Sequence, residues 1–194
     1  MNSSNISSND VRQYFDSVSA ILSETNEKAL AEIADVLIAA HLRGATIFTA
    51  GNGGSSATAS HMVNDLTKGC AVLGRTGLKS ICLSDSSTLV TCLANDFCYE
   101  DVYKIELSTL AKRGDVLCVF TGSGNSANVV RAAEYARSAG IIVVGFLGRD
   151  GGKTLPLCDH YLLAPTDCME SIEDIHMICE HALATVIREK LKDV

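Results

Sequence analysis

His61 and Asp65 stand four residues apart in TAGNGGSSATASHMVNDL, residues 49–66, a stretch that runs from an apolar segment through glycines into residues suited to a helix. On a helix that spacing puts an imidazole and a carboxylate on one face, where they can converge on a single object. Such a pair can hold a divalent cation or exchange protons with a substrate, and it equally suits a surface salt link. Glu173 and His181 form a second edge of this kind on a predicted C-terminal helix. The other histidines have structural readings. His176 is expected as a hydrogen-bonded core residue, His41 as the end of a helix where imidazole suits the dipole, and His160 as the start of a strand.

Two glycine and hydroxyl loops carry a different chemistry. Gly51-Asn52-Gly53-Gly54-Ser55 follows the run ATIFTA, and Thr121-Gly122-Ser123-Gly124-Asn125-Ser126 follows DVLCVFT. Glycines at a strand-to-helix junction let the backbone approach a ligand closely. A helix N-terminus adds unpaired N–H groups and about half a positive charge, and hydroxyls add further donors, which together suit a phosphate monoester. Neither loop contains GxxxxGK[ST], which argues against a nucleoside triphosphate. Gly122 to Ala127 does satisfy GxGxxA after a strand, but a dinucleotide fingerprint normally opens the first βαβ unit and this one comes third. No nucleotide cofactor is expected, and a plain turn with helix capping stays open for both loops.

The elements that must position these groups follow from the apolar pattern. Residues 11–43 repeat apolar side chains at threes and fours, as one or two helices do. Five short apolar runs then alternate with helix-length segments at 54–69, 100–112 and 126–139: ATIFTA, LKSICLS, DVLCVFT, IIVVGFL and HYLLAP. Continuous apolar runs suit strands covered on both faces, so the expectation is a doubly wound α/β fold with a five-stranded parallel sheet and ligands at the carboxyl ends of its strands. Residues 169–191 close the chain as a helix whose stripe includes Ile172, Ile175, Cys179 and Leu183, leaving Glu173, Met177 and His181 on an exposed flank. The whole chain, 1–194, reads as one domain: a helical segment over 1–43 and an α/β core over 44–194.

Composition excludes several classes. A net charge of -7, no tryptophan and no basic cluster beyond the dispersed REKLK of residues 188–192 argue against nucleic acid. No run approaches the roughly 18 apolar residues of a membrane span, and the polar start MNSSNISSND is no signal peptide, so no membrane partner and a cytoplasmic location are expected. Eight cysteines without a CxxC pair read as mostly buried, reduced thiols.

Taken in order, AGNGGS, His61, AND at 94–96, GDVLCVFTGSGNSANVVRAAEYA, GRDGGK and ESIEDIHMICEHALATVI resemble the sugar isomerase (SIS) domain family. That likeness implies a flavodoxin-like sheet, a homotetramer with active sites between subunits, and a phosphosugar substrate whose phosphate lies in the Ser/Thr loop. Within the family the chain is most similar to members that interconvert sedoheptulose 7-phosphate and D-glycero-D-manno-heptose 7-phosphate through an enediol. The resemblance implies substrate contacts from Asn52, Gly53, Gly54, Ser55, Asn95, Asp96, Thr121, Gly122, Ser123, Ser126 and Glu173. It also implies one divalent metal per site, zinc, on His61, Asp65, Glu173 and His181, with Asp65 and His181 as acid and base. Asp65 stands where the family has Glu, Glu173 where it has Gln, Thr58 where it often has Asp, and Gly122 where its loop has Thr. Both substitutions in the metal set keep an oxygen ligand, while added negative charge weakens a metal as a Lewis acid. Some SIS proteins are instead non-catalytic tetrameric adaptors, one of them for the replication initiator DnaA, and others sense or isomerise different sugar phosphates. Loss of the acid/base residues marks the adaptors, and this chain keeps His61 and His181.

Overall fold

A computed structural model of the protein describes residues 6–72 and 76–193. Five parallel strands form its sheet: β1 (Ile47–Gly51), β2 (Ser80–Cys82), β3 (Val116–Thr121), β4 (Ile142–Gly148) and β5 (His160–Ala164), in the order β2-β1-β3-β4-β5. Every residue of β1 and β3 is buried, as central strands covered on both faces must be, which is why their sequences are apolar without alternation.

Seven α-helices cover the sheet: α1 (Ser8–Ser23), α2 (Glu27–Leu42), α3 (Gly54–Asn64), α4 (Ser87–Asp96), α5 (Val102–Leu110), α6 (Ala127–Ala139) and α7 (Met169–Leu191). On one face Ile33 and Leu37 of α2, Met62 of α3 and Ile175 and Leu183 of α7 share a core with Phe120 and Phe146. On the other, Leu93 of α4, Val102 and Leu107 of α5 and Val129 and Ala136 of α6 pack on Phe48 and Leu117. The N-terminal helical stretch is two helices, because Asn26 caps a new one by accepting a bond from the Ala29 N–H at 3.1 Å.

Three local features differ from expectation. Helix α4 lies outside the helix-length segments read from the sequence, and of its residues only Leu93 is buried. It starts where the Ser86 hydroxyl accepts the Leu89 N–H at 3.2 Å. The helix over 54–69 is α-helical only to Asn64, and Asp65–Gly69 winds as a π-helix closed by the Cys70 N–H on the Asp65 carbonyl at 2.8 Å. Finally, His176 is a core residue, 1% exposed and edge-on to Phe120 and Phe146, but neither ring nitrogen makes a hydrogen bond, contrary to expectation. Burial pushes its pKa down to about 4. All eight cysteines are free; Cys70, Cys82, Cys118 and Cys179 are buried. No described helix is long and apolar enough to cross a membrane.

Candidate active site

The chain turns from β1 to β2 on one side of the sheet, while β3 pairs on the other side of β1. Loops leaving β1 and β3 therefore diverge above the sheet and open a crevice at their carboxyl ends, the general ligand position in this architecture. Register brings the loops level, with Gly51 beside Phe120. A cavity of about 130 Å³ occupies the crevice, lined by Asn52 and Ser55 of the first loop and its helix, Thr121, Ser123 and Ser126 of the second, and Met169 and Glu173 of α7.

The hydroxyls there are free to donate. Thr121 Oγ1 accepts the Gly124 N–H at 3.1 Å and Ser123 Oγ accepts the Asn125 N–H at 3.2 Å, so both spend lone pairs on the loop and keep their protons for a ligand. Ser126 precedes α6 yet makes no side-chain cap bond. Backbone shape depends on Gly53, whose φ of 56° precedes α3. At the next residue a β-carbon on Gly54 would overlap the Glu173 carboxylate, so glycine there lets α7 lay that group on the start of α3.

A hydrogen-bonded lock joins the two loops. Asn52 and Asn128 exchange amide bonds, both at 2.9 Å, and Asn128 Oδ1 also accepts the Val129 N–H at 3.0 Å. Tyr99 donates to Asn52 Oδ1 at 2.9 Å, while the Tyr103 hydroxyl faces both that oxygen and the Gly51 carbonyl. Asn128 is only 2% exposed, so these bonds form away from competing water.

The second group of chemical side chains lies further along the same two helices. His61 Nε2 is 3.0 Å from His181 Nε2 and 3.7 Å from Asp65 Oδ2, and His181 Nε2 is 3.9 Å from Asp65 Oδ2 and 3.8 Å from Glu180 Oε2. One ligand atom from each of these four residues lies within 4.8 Å of every other. A tetrahedral ion with bonds of ~2.0–2.2 Å holds its ligands roughly 3.3–3.6 Å apart, so small side-chain rotations bring this set to an ion. Two imidazoles and two carboxylates are donors that suit zinc and other divalent cations. Asp65 opens the π-helix, a distortion that recurs at functional sites.

Of the residues singled out in the sequence, the structure brings Asn52, Ser55, Thr121, Gly122, Ser123, Ser126 and Glu173 together around the cavity. His61, Asp65 and His181 gather in the second group. Glu173 is not in that group; the carboxylate found there is Glu180. Asn95 and Asp96 end the exposed α4, bonded to each other at 2.9 Å, and do not line the cavity. Sequence reasoning passed over Tyr99, Tyr103, Asn128, Met169 and Glu180. Asn128 was the most accessible of these, as a polar residue in an otherwise apolar first turn of α6; the tyrosines carried no spacing signal.

Residues 13–148 match the SIS domain. The chain is 38% identical over 162 residues to a phosphoheptose isomerase of Helicobacter hepaticus, covering 84% of this chain and 82% of that protein. It superposes on the phosphoheptose isomerase structure of Neisseria gonorrhoeae with a TM-score of 0.85 at 26% identity, covering 92% of this chain and 97% of the other. A phosphoheptose isomerase structure from Francisella tularensis gives 0.88 at 25% identity, with 95% and 100% covered. With the domain match extending over most of its length and a relative this similar along the same fold, the chain belongs to the sugar isomerase (SIS) domain family.

Proposed function

We propose that this protein is an aldose–ketose isomerase that converts sedoheptulose 7-phosphate into D-glycero-D-manno-heptose 7-phosphate through an enediol. The enzyme class and substrate are supported by the relatives named phosphoheptose isomerase, which cover most of the chain. One geometric observation carries the reading: a hydroxyl-lined cavity lies at the starts of α3 and α7, and an imidazole–carboxylate group lies at the far end of α3 against the middle of α7. From Gly54 to His61 the helix rises roughly 10 Å at ~1.5 Å per residue, a span suited to an extended sugar with its ester at one end and its carbonyl at the other.

Thr121, Ser123 and Ser126 hold the phosphate, and the α6 N-terminus adds its dipole. Asn52, Gly53, Gly54 and Ser55 contact the sugar hydroxyls. One of Asp65 and His181 takes the proton from C1 of the ketose, and the C1–H electron pair becomes the C1–C2 double bond as the carbonyl oxygen gains charge. The other passes the hydroxyl proton from O1 to O2, and the first proton returns to C2, leaving an aldehyde at C1. The anchored phosphate registers these carbons against the acid/base pair. His61, Asp65 and His181 would hold a divalent ion, zinc by donor type, and it would polarise the carbonyl and stabilise the enediolate charge.

Homotetramer formation, with sites shared between subunits, belongs to the same proposal. Phe97, 68% exposed beside Asn95 and Asp96, marks a surface that a neighbouring subunit would cover, which would carry those two polar residues toward a substrate. A cytoplasmic location completes the reading. Purified protein incubated with sedoheptulose 7-phosphate, with and without zinc, tests it by product formation. Asp65→Ala and His181→Ala should each lower turnover by at least 100-fold, in line with the ~10²–10⁴-fold contribution of general acid–base catalysis. An inactive wild-type protein that is folded and metal-loaded would refute the assignment.

A further inference from the structure

We propose that the chain leaving β4 is a clasp that shapes the anion-binding loop, with Thr154 as its positioning residue. Thr154 grips the Gly124 carbonyl from behind and so keeps the Asn125 N–H and the Ser123 hydroxyl turned toward a phosphate. The proposal rests on the reading above only in treating the loop over 121–126 as the place of the phosphate.

Residues 149–154 run from β4 toward β5, and none of them lines the cavity. They pack instead on the loop that does. A β-carbon on Gly124 would overlap the Gly151 carbonyl, and one on Gly152 would overlap the Ser123 carbonyl and the Asn125 amide, so glycines at both points let the two backbones touch. Three hydrogen bonds fasten the contact. Thr154 donates its N–H, at 2.9 Å, and its hydroxyl, at 2.8 Å, to the Gly124 carbonyl, and the Lys153 N–H donates to Asn125 Oδ1 at 3.2 Å. Thr154 is fully buried, so water does not compete for that carbonyl. The clasp itself is held in a costly shape. Arg149, at its start, has a φ of 54°, the one positive value at a non-glycine among the described residues, and such a conformation persists only where surrounding contacts enforce it.

The plane of the Gly124–Asn125 peptide carries this grip to the cavity. In a trans peptide the C=O and N–H point in opposite directions. With the Gly124 carbonyl turned to Thr154, the Asn125 N–H points the other way, where it donates to Ser123 Oγ at 3.2 Å. That bond occupies a lone pair of a hydroxyl that lines the cavity and leaves its proton to face a ligand. Without the Thr154 hydroxyl the carbonyl keeps one donor, the peptide plane is freer to rotate, and a carbonyl oxygen can replace an N–H at the rim of an anion site. Thr154 thus acts on the phosphate through two intervening groups.

Calorimetry with inorganic phosphate and steady-state kinetics with sedoheptulose 7-phosphate, on wild type, Thr154→Val and Thr154→Ser, test this. Thr154→Val keeps the side-chain shape and removes the hydroxyl. It should weaken phosphate binding by about 5- to 10-fold, the worth of roughly one hydrogen bond, and raise KM by a similar factor with kcat within about threefold of wild type. Thr154→Ser restores the hydroxyl and should stay within about twofold of wild type. Should Thr154→Val fail to fold, Asn125→Ala takes its place at an exposed position, since it removes the bond from Lys153, and it should weaken phosphate binding by about fivefold. Unchanged phosphate affinity in the variant used would overturn the proposal. So would a loss in Thr154→Ser as large as that in Thr154→Val, the mark of packing alone, or a wild type that binds no phosphate. Turnover separates the two readings. An active wild type with unchanged phosphate affinity in Thr154→Val sinks the clasp alone, and the expected phosphate losses without turnover of sedoheptulose 7-phosphate sink the isomerase alone.

Discussion

Asn128→Ala should damage catalysis from a position that touches no substrate. The substitution removes both amide bonds to Asn52, each 2.9 Å, and the 3.0 Å bond that Asn128 Oδ1 accepts from the Val129 N–H. At ~1 kcal/mol net per bond, with the buried Val129 N–H left unpaired, the cost is about 2–4 kcal/mol. For a chain of this size that lowers the melting temperature by roughly 5–15 °C. Freed from Asn128, Asn52 keeps only the two tyrosines and can rotate in the cavity mouth. A displacement of ~1 Å in a positioned group can cost ~100-fold, so kcat/KM should fall by roughly 10- to 100-fold, chiefly through kcat. Steady-state kinetics, run well below the variant's melting midpoint, measure this apart from unfolding. Tyr103→Phe, which removes a hydroxyl facing the same Asn52 oxygen and the Gly51 carbonyl, should move in the same direction by less. Unaltered kcat/KM in Asn128→Ala would show that the Asn52 lock has no part in placing the substrate.

Glu173→Gln removes a carboxylate from a cavity whose hydroxyls are proposed to hold phosphate. Relief of about 1–2 kcal/mol of like-charge repulsion should tighten inorganic phosphate binding roughly 5- to 30-fold, measured by calorimetry. His176→Leu should flatten the acid limb of stability. Burial depresses the folded-state pKa of His176 from 6.5 to about 4, so the neutral ring contributes stability that is complete above pH 6.5 and lost as pH falls toward 4. The loss is on the order of 3 kcal/mol in wild type, and melting temperatures from pH 7 to 4 should show it shrink in the variant.

Much of the architecture was legible because burial on both faces writes itself as uninterrupted apolar runs. β3 and β4 illustrate this, since VLCVFT and IVVGFLG leave little room for another reading. The two cavity-lining loops were legible for a similar reason: glycines and hydroxyls at the carboxyl ends of strands have a narrow set of uses. Helix α4 was not. Its Leu89, Val90, Leu93 and Ala94 recur at helical spacing, but over a helix of only 10 residues that stands out little beside the longer runs, and of these only Leu93 is buried. The π-helix at Asp65 was equally hidden, because a one-residue expansion of the helical hydrogen-bond ring leaves no compositional mark.

Glu180 shows what residue spacing leaves out. The pair Glu173 and His181 fits a common helix flank at about 100° per residue, and this made the earlier acid the natural partner of the imidazole. Angular position says nothing about axial distance, however, and the two are about 12 Å apart along α7. Glu180 adjoins His181 in sequence, where helical geometry turns side chains apart, and it faces the core, where an acid is usually read as a hydrogen-bonded structural group. Only the three-dimensional arrangement reveals that its oxygens have no such partner and that His61 and Asp65 approach from α3 and the π-helix to complete a common set of donors. Asp65, Glu173 and Glu180 are the acids of the two groups described. Asp65 and Glu180 are close enough to share one cation, and Glu173 is held apart by the glycine that lets it rest on the neighbouring helix. That separation sets Glu173 among the hydroxyls of the cavity and Glu180 beside the imidazoles, so a substitution at each position perturbs a different group of donors.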